Sequence, residues 1–514
     1  MPLPTFIVEV NWTNTDPATW VDETARVTSM EWTTGRNRAS QLTGKAEPGR
    51  LTLHLTNSDA RFSPLASSSA LFPNVKPRRK VRIRSTSPVA KTLWTGFIDQ
   101  VRAEPRYNWP GFATLEASGP LSWVARKKVD TAAYTSISPG TAIGYVLDNA
   151  GWPAADRDID DATATVMSHW FAFGEFAMGK LREIEETEMG FLHENGNGQI
   201  VFEDRRRRLT ATRSTVSQAT FTDNVPVTLG YSAIDHYEPD DQILNEFVCD
   251  VRNYITAPQV VVAWALPTTL LPITVGPGET ISFYSSHPSV DVLGAVSHMS
   301  SWTTPVANTD YFVNSASDGS GSDQSGSLAL VATKTATTML LEFTSSAAAD
   351  IYLWSKLQAR GLPVVKSDPL RVVKLDSTSQ TTYGRRTYTL PAPFITDRTD
   401  AEELCAWGLG IYASPFTICK IEIPGIAYPS EVLNREVSDR VTVVANQIVG
   451  TGLGISADFF VERITHRVTQ RGYRVWYELS SAWTGEGGGG AWILGTSLLG
   501  ATDTSIPTRL APTA

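Results

Sequence analysis

Arg79-Lys80-Val81-Arg82-Ile83, Gly96-Phe97-Ile98-Asp99-Gln100-Val101 and Ala113-Thr114-Leu115-Glu116-Ala117-Ser118 form a set that returns far downstream. There it reads Asp439-Arg440-Val441-Thr442-Val443, Phe459-Phe460-Val461-Glu462-Arg463-Ile464 and Val475-Trp476-Tyr477-Glu478-Leu479-Ser480. In each set a polar or basic pair opens an alternating strand. A Phe-apolar-acid-polar-apolar strand follows, and a third strand ends in Glu and Ser. Apolar residues recur with period two, so one face of each strand is buried and the other meets water. The repetition predicts a duplicated β-barrel or curved-sheet domain, with most of the remaining chain between or beside the copies.

Composition agrees with strands. The chain has 514 residues, too many for one core, and about three or four domains are expected. It is 42% hydrophobic, and its 15 Trp and 15 Tyr, with abundant Thr and Val, favour sheets over helices. The 44 Lys and Arg against 53 Asp and Glu leave a net charge of −9. That argues against a general nucleic-acid-binding surface, leaving room for local basic patches, and suits a wall past which DNA moves without sticking. Cys249, Cys405 and Cys419 are odd in number and lack a Cys-x-x-Cys pair, so they are expected as buried apolar residues in a reducing cytoplasm. Met1-Pro2-Leu3-Pro4 leads straight into the strand-like Phe6–Val10. No apolar run reaches the length of a membrane span, so a soluble, cytoplasmically made protein is expected.

Outward from the first set, Thr5–Trp12, Val27–Trp32 and Leu51–Leu55 read as strands, with Gly35-Arg36-Asn37-Arg38 as a basic turn and His54 on a solvated phase. The succession Trp20-Val21-Asp22, Glu31-Trp32-Thr33-Thr34-Gly35-Arg36, Glu47-Pro48-Gly49-Arg50-Leu51, Asn57-Ser58-Asp59-Ala60-Arg61-Phe62-Ser63-Pro64 and Leu93-Trp94-Thr95-Gly96-Phe97 resembles the start of minor tail proteins of long-tailed actinobacterial phages. These in turn resemble the baseplate-hub or tail-tip hub family. The Tyr383-Gly384-Arg385-Arg386 element is similar to one in the same proteins.

The fold class expected is mainly β and multidomain: two tube-like β-barrel domains, a small α+β domain and an inserted β-sandwich. Residues 1–125 form the first barrel domain. Residues 126–222 form the α+β domain, with helices over Thr141–Ala150 and along Ala177, Leu181, Ile184 and Glu188, where Lys180, Glu183 and Glu186 point outward. A hairpin crosses Asn195-Gly196-Asn197-Gly198. Arg205-Arg206-Arg207-Arg208 then reads as a solvated strand end, an inter-subunit ion-pair surface or a phosphate contact. Residues 223–256 and 369–484 make the second barrel domain, with a strand at Val227–Leu229 and a helix capped by Asp400. Residues 257–368 carry Trp264, Trp302 and Trp354 and make the sandwich, from which Tyr352–Gly361 leads back out. Residues 485–514 are a Gly-rich tether and docking tail.

No constellation of catalytic residues stands out. His-Glu-x-x-His, Gly-x-Ser-x-Gly and P-loop patterns are absent from the sequence. Asp318-Gly319-Ser320-Gly321-Ser322-Asp323 looks like a calcium loop without its closing Glu and reads as a hairpin tip. Asp156–Asp161 reads as a solvated acidic loop. The expectation is therefore no catalytic, cofactor-binding or metal residue, no cofactor and no enzymatic activity. What the resemblance implies is a structural virion protein of the phage tail tip, assembled in the host cytoplasm. It implies a homotrimer joining the sixfold tail tube to a threefold tip around the genome channel. The implied partners are a distal tail or tail-tube protein, the tape measure protein and other tail-tip proteins, with DNA passing transiently. The alternative is host attachment, the sandwich binding a cell-surface glycan or receptor.

Overall fold

The computed structural model describes residues 3–36, 45–106, 109–163, 165–223, 228–288, 290–291, 294–415, 417–446 and 454–482. It is mainly β, 46% strand against 17% helix, with several sheets and domains. The tail 485–514 lies outside the described residues.

The first half runs β1 (Thr5–Asn11), β2 (Val21–Asp22), β3 (Val27–Gly35), β4 (Arg50–Thr56), β5 (Lys80–Ser87), β6 (Lys91–Arg106) and β7 (Trp109–Ser118). Their order is β2-β1-β5-β6-β7-β4-β3, antiparallel throughout. Alternation sets the two faces. Val81, Ile83, Leu51, Leu53 and Leu55 are buried. On the opposite phase, Arg82 and Arg84 both donate to Glu9 on β1, at 2.7 and 2.8 Å, and His54 is exposed.

Next come α1 (Leu121–Val124), β8 (Lys128–Asp130), β9 (Tyr134–Ile137), α2 (Pro139–Asn149), β10 (Arg157–Ile159), β11 (Met167–Trp170), β12 (Phe173–Phe176), α3 (Ala177–Glu188), β13 (Phe191–Glu194), β14 (Ile200–Glu203), α4 (Arg207–Thr210) and α5 (Thr212–Thr215). Helix α2 starts where the Ser138 hydroxyl accepts the Thr141 N–H, with Pro139 in its first turn. On α3, Ala177, Leu181, Ile184 and Glu188 are buried together. Lys180 departs from its expected outward position. Its stem is buried, and its ammonium reaches Glu175 and Glu183 at 3.0 and 2.9 Å and lies 5.5 Å from the Phe394 ring. A long aliphatic stem can be covered while its charge is paired at the rim.

The chain then runs through β15 (Thr220–Thr222), β16 (Ala233–Tyr237) and β17 (Glu246–Val251). Val227 of the expected Val227–Leu229 strand lies outside the described residues, and Leu229 is buried but not in a strand. The insert holds β18 (Tyr254–Thr256), β19 (Val261–Ala265), β20 (Ile273–Val275), β21 (Thr280–Ser286), β22 (Val290–Asp291), β23 (Gly294–Thr303), β24 (Tyr311–Asn314), β25 (Leu328–Lys334), β26 (Thr338–Ser345) and β27 (Ile351–Lys366). A seven-stranded sheet faces the three-stranded sheet β21-β26-β25 across a core including Met299, Trp302, Leu341, Phe343 and Leu353. Tyr352–Gly361, expected as a way out, lies instead on β27. That strand pairs with β18, β19, β20, β23 and β24 in turn and is the spine of the larger sheet. An alternating strand that several short partners share looks, in sequence, like any connector.

The return brings β28 (Leu370–Leu375), α6 (Ser377–Tyr383), β29 (Thr387–Leu390), α7 (Arg398–Tyr412), β30 (Ile418–Pro424), α8 (Pro429–Asn434), β31 (Arg440–Ala445), β32 (Ile455–Thr469) and β33 (Gly472–Ser481). Helix α7 packs its Leu404 and Cys405 on the sheet β28-β17-β29, against Phe247 and Cys249. Its cap is Asp397, which accepts from the Thr399 and Asp400 amides, rather than the expected Asp400. The second half orders as β16-β30-β33-β32, with β31 on β32 and β15 on β31. β3 and β32 pair antiparallel from Ser29↔Thr469 to Gly35↔Arg463, and this joins the halves into one sheet of 13 strands over one core.

Candidate functional site

The two strand sets are alike down to their irregularities. β6 shifts register on β7 between Ile98 and Gln100, and β32 shifts on β33 between Val461 and Arg463. The skipped residues are Asp99 and Glu462. Each bulge carries a carboxylate that accepts from a serine in the last two residues of the third strand, Ser118 to Asp99 and Ser480 to Glu462. Beside each bulge, a non-glycine residue with positive φ enters the first strand: Arg78 at 65° and Ser438 at 70°. Their amides donate to Ile98 and Val461, at 2.6 and 2.8 Å. Bulges re-aim a strand and a side chain together. Here they turn one acid per copy toward the same relative place.

In the second copy that place is a buried ionic knot. Glu462, 0% exposed, accepts from Arg36 Nε at 2.7 Å, Arg208 Nη1 at 2.6 Å and Ser480 Oγ at 2.7 Å. Ser438 donates to Glu203 and accepts from Arg208. Burial alone would push the Glu462 carboxyl up, but Arg208 and Arg36 outweigh it and hold it well below the usual range. Arg36 follows β3, Arg208 lies on α4 and Glu462 on β32, so three regions share one charge cluster.

The arginine run is thus more than a solvated strand end: Arg206 is exposed, but its three neighbours are paired within the chain. Arg205 and Arg208 are buried; Arg205 bonds Glu188 at 3.0 Å and Arg207 bonds Asp160 at 2.5 Å. The acidic loop is corrected with it, since Asp160 is a partner of that run and β10 pairs with β14. Glu194 fastens the α+β region differently. Buried beside β3 and α1, it accepts the amides of Gly49 and Leu121. Burial pushes its pKa up to about 7, with those two amides holding it back.

At the joint, Trp32 stacks on His466 with centroids 4.5 Å apart, and His466 Nδ1 lies 2.8 Å from the Tyr473 hydroxyl. Burial drives His466 down to about 3, so it is a neutral core ring. A cleft of 210 Å³ beside it contains Lys91 and Glu436, paired with each other, and Arg213, bonded to Asp439. Its charges are engaged in holding elements together.

Other singled-out residues stay apart. Asp318 accepts from Ser320 within its own loop and Asp323 from Ser325. Among the described residues no three His, Cys, Asp or Glu come together as a metal-binding group. Trp302 is a core residue bonded to the Thr335 carbonyl, and Trp264 and Trp354 are half-buried. Cys249, Cys405 and Cys419 are free and buried. The features that remain open are strand edges. β16 ends the sheet, and among the described residues no strand pairs with the outer side of Gln100–Arg106 on β6.

No family model matches the sequence, and no curated protein matches it. Solved structures similar to the chain include a tail protein from Neisseria meningitidis MC58, at TM-score 0.49 and 10% identity over 93% of this chain and 97% of that one. A 43 kDa tail protein of a prophage from Shewanella oneidensis gives 0.48 and 9%, over 92% and 97%. A prophage tail protein from Listeria monocytogenes gives 0.40 and 9%, over 92% and 94%. None of the three is specific to actinobacterial phages, the narrower group in the sequence resemblance. At this identity and similarity they leave this chain's role to its own residues.

Proposed function

We propose that the chain is a structural phage-tail protein, the central hub of a tail tip, in which three copies form a ring around the channel for the genome. One observation carries this: the joint between the two strand sets is used once inside the chain, and among the described residues no strand completes its counterpart. Inside the chain, β3 pairs with the Arg463–Thr469 stretch of β32. The matching stretch of β6 is Gln100–Arg106, and the matching strand to β3 is β16, which pairs with β30 as β3 pairs with β4. Trp32 lies opposite His466; by the same register, His236 of one copy lies opposite Ala103 of the next.

Such a joint is head-to-tail, and three copies alternating internal and external joints give six like units, the number a sixfold tail tube presents. It also covers edges that otherwise invite uncontrolled pairing. The net charge of −9 lets DNA pass without adhering. Function in this reading is geometric rather than catalytic: the ring holds the tip together until host contact, then opens.

The test is a His236→Cys, Ala103→Cys pair. Opposed residues in an antiparallel ladder sit about 4.5–5.5 Å apart at Cα, within disulfide reach. On oxidation the double variant should form interchain dimers and trimers, and neither single variant should. Light scattering should give a mass near three times 56.0 kDa. A monomer at every concentration, with no cross-link, sinks the proposal.

A further inference from the structure

The inserted sandwich meets the α+β region along a seam of rings. His298 on β23 is 0% exposed. Its ring lies 4.7 Å from Phe171, 5.4 Å from His169 on β11 and 5.9 Å from Tyr254 on β18. His169 lies 5.3 Å from Tyr254. Neither His298 Nε2 nor His169 Nδ1, both buried, has a hydrogen-bond partner among the described residues, while His298 Nδ1 lies 3.4 Å from the Ser297 hydroxyl. Nearby, the hairpin between β25 and β26 reaches across, and the Ala336 amide donates to the Thr131 carbonyl at 3.0 Å.

Among the described residues, the groups that act on the two imidazoles are neutral or cationic. His287 follows β21 and acts on His298; Lys366 on β27 lies opposite Tyr254; Arg252 precedes β18 and acts on both Tyr254 and Lys366. Asp250 is the acid that Arg252 influences, and Arg371 already binds it at 3.0 Å. No carboxylate is hydrogen-bonded or ion-paired to His169, His287, His298, Tyr254 or Lys366 among the described residues. A proton added here would put a cation among cations in an apolar seam.

We propose that the seam is an acid-released latch: protonation of His298 and His169 parts the inserted sandwich from the α+β region while each stays folded. Burial drives His298 down to about 3, with His169 and His287 adding to it, and burial also lowers His169. A docked pKa below the ordinary value of 6.5 means docking is at full strength above that pH and weakens as pH falls below it. The loss is about tenfold per pH unit for each imidazole that binds a proton on release and none when docked.

Hydrogen exchange at the Ala336 amide of the full chain reads the latch directly. Between pH 6.5 and 5.5, after correction for intrinsic exchange, its protection should fall about tenfold or more, while the amides of β3 and β32 hold theirs. In His298→Leu only His169 is left to bind a proton on release, so the fall should be shallower than in wild type. An unchanged wild-type amide, an equal fall in His298→Leu, or parallel loss in β3 and β32 would each overturn the latch, the last by showing general acid unfolding. Should His298→Leu not fold, the half-buried His169→Leu replaces it. There the fall must be shallower than in wild type, and an equal fall overturns the proposal.

Discussion

Glu462 shows how much one side chain can hold. Two guanidiniums and a hydroxyl from three separate parts of the chain converge on a fully buried carboxylate. Such a knot is weak proof of net stabilisation, since desolvating the charges costs much of what their attraction returns. Removing one member is another matter, because the rest are left buried and uncompensated. Glu462→Ala should therefore cost on the order of 3–5 kcal/mol, read as a shift in the urea midpoint. Its pH dependence follows from the sign of the shift. A carboxyl held below its ordinary value of 4.5 contributes above that pH, and the contribution is lost as pH falls toward its folded value. Wild type and variant should thus converge in acid; a gap that widens there would refute the assignment. The sequence carries this acid at the same place in both strand sets, together with a serine near the end of the third strand. That they bond each other was invisible, because the bulge bringing them together is a property of the pairing.

The joint between the halves depends on a close backbone approach. Gly35 ends β3 at φ +99°, and a Cβ there would stand 2.1 Å from the Glu462 carbonyl oxygen. No flexible side-chain end is available to yield. Gly35→Ala should destabilise the joint by at least about 1–3 kcal/mol, through both the positive φ and the clash. Hydrogen exchange in β3 and β32 should rise before that in β21 or β26; unchanged protection in β3 would mean the joint tolerates more separation than its geometry implies. Strand identity along this stretch was legible from alternation: Trp32 and Met30 on one phase, Glu31 and Thr33 on the other. The partner was not, since Val27–Trp32 carries no mark that distinguishes β32 from any other edge.

For the complete chain, the question is which parts the proposed ring needs. The insert leaves and returns through neighbouring strands, with Thr256 opposite Val364 and Tyr254 opposite Lys366. A short Gly-Ser loop joining Thr256 to Val364 can therefore replace residues 257–363, as a hairpin connection does. The shortened protein should keep the oligomeric mass ratio of the full chain, measured by light scattering, and keep the His236–Ala103 cross-link in the paired-cysteine background. Loss of both would place the insert within the assembly rather than upon it. What could be read before any folding was whatever recurs locally: the period of two, the twin strand sets, the change of composition near Pro258 and the helical faces of α2 and α3. Folding alone assigned partners. Arg208 found Glu462, Lys180 turned inward, β27 became a spine, and the two halves merged into one sheet, because each depends on residues far apart in the chain. Local sequence encodes which face is apolar; only the packed chain decides which faces, edges and charges meet.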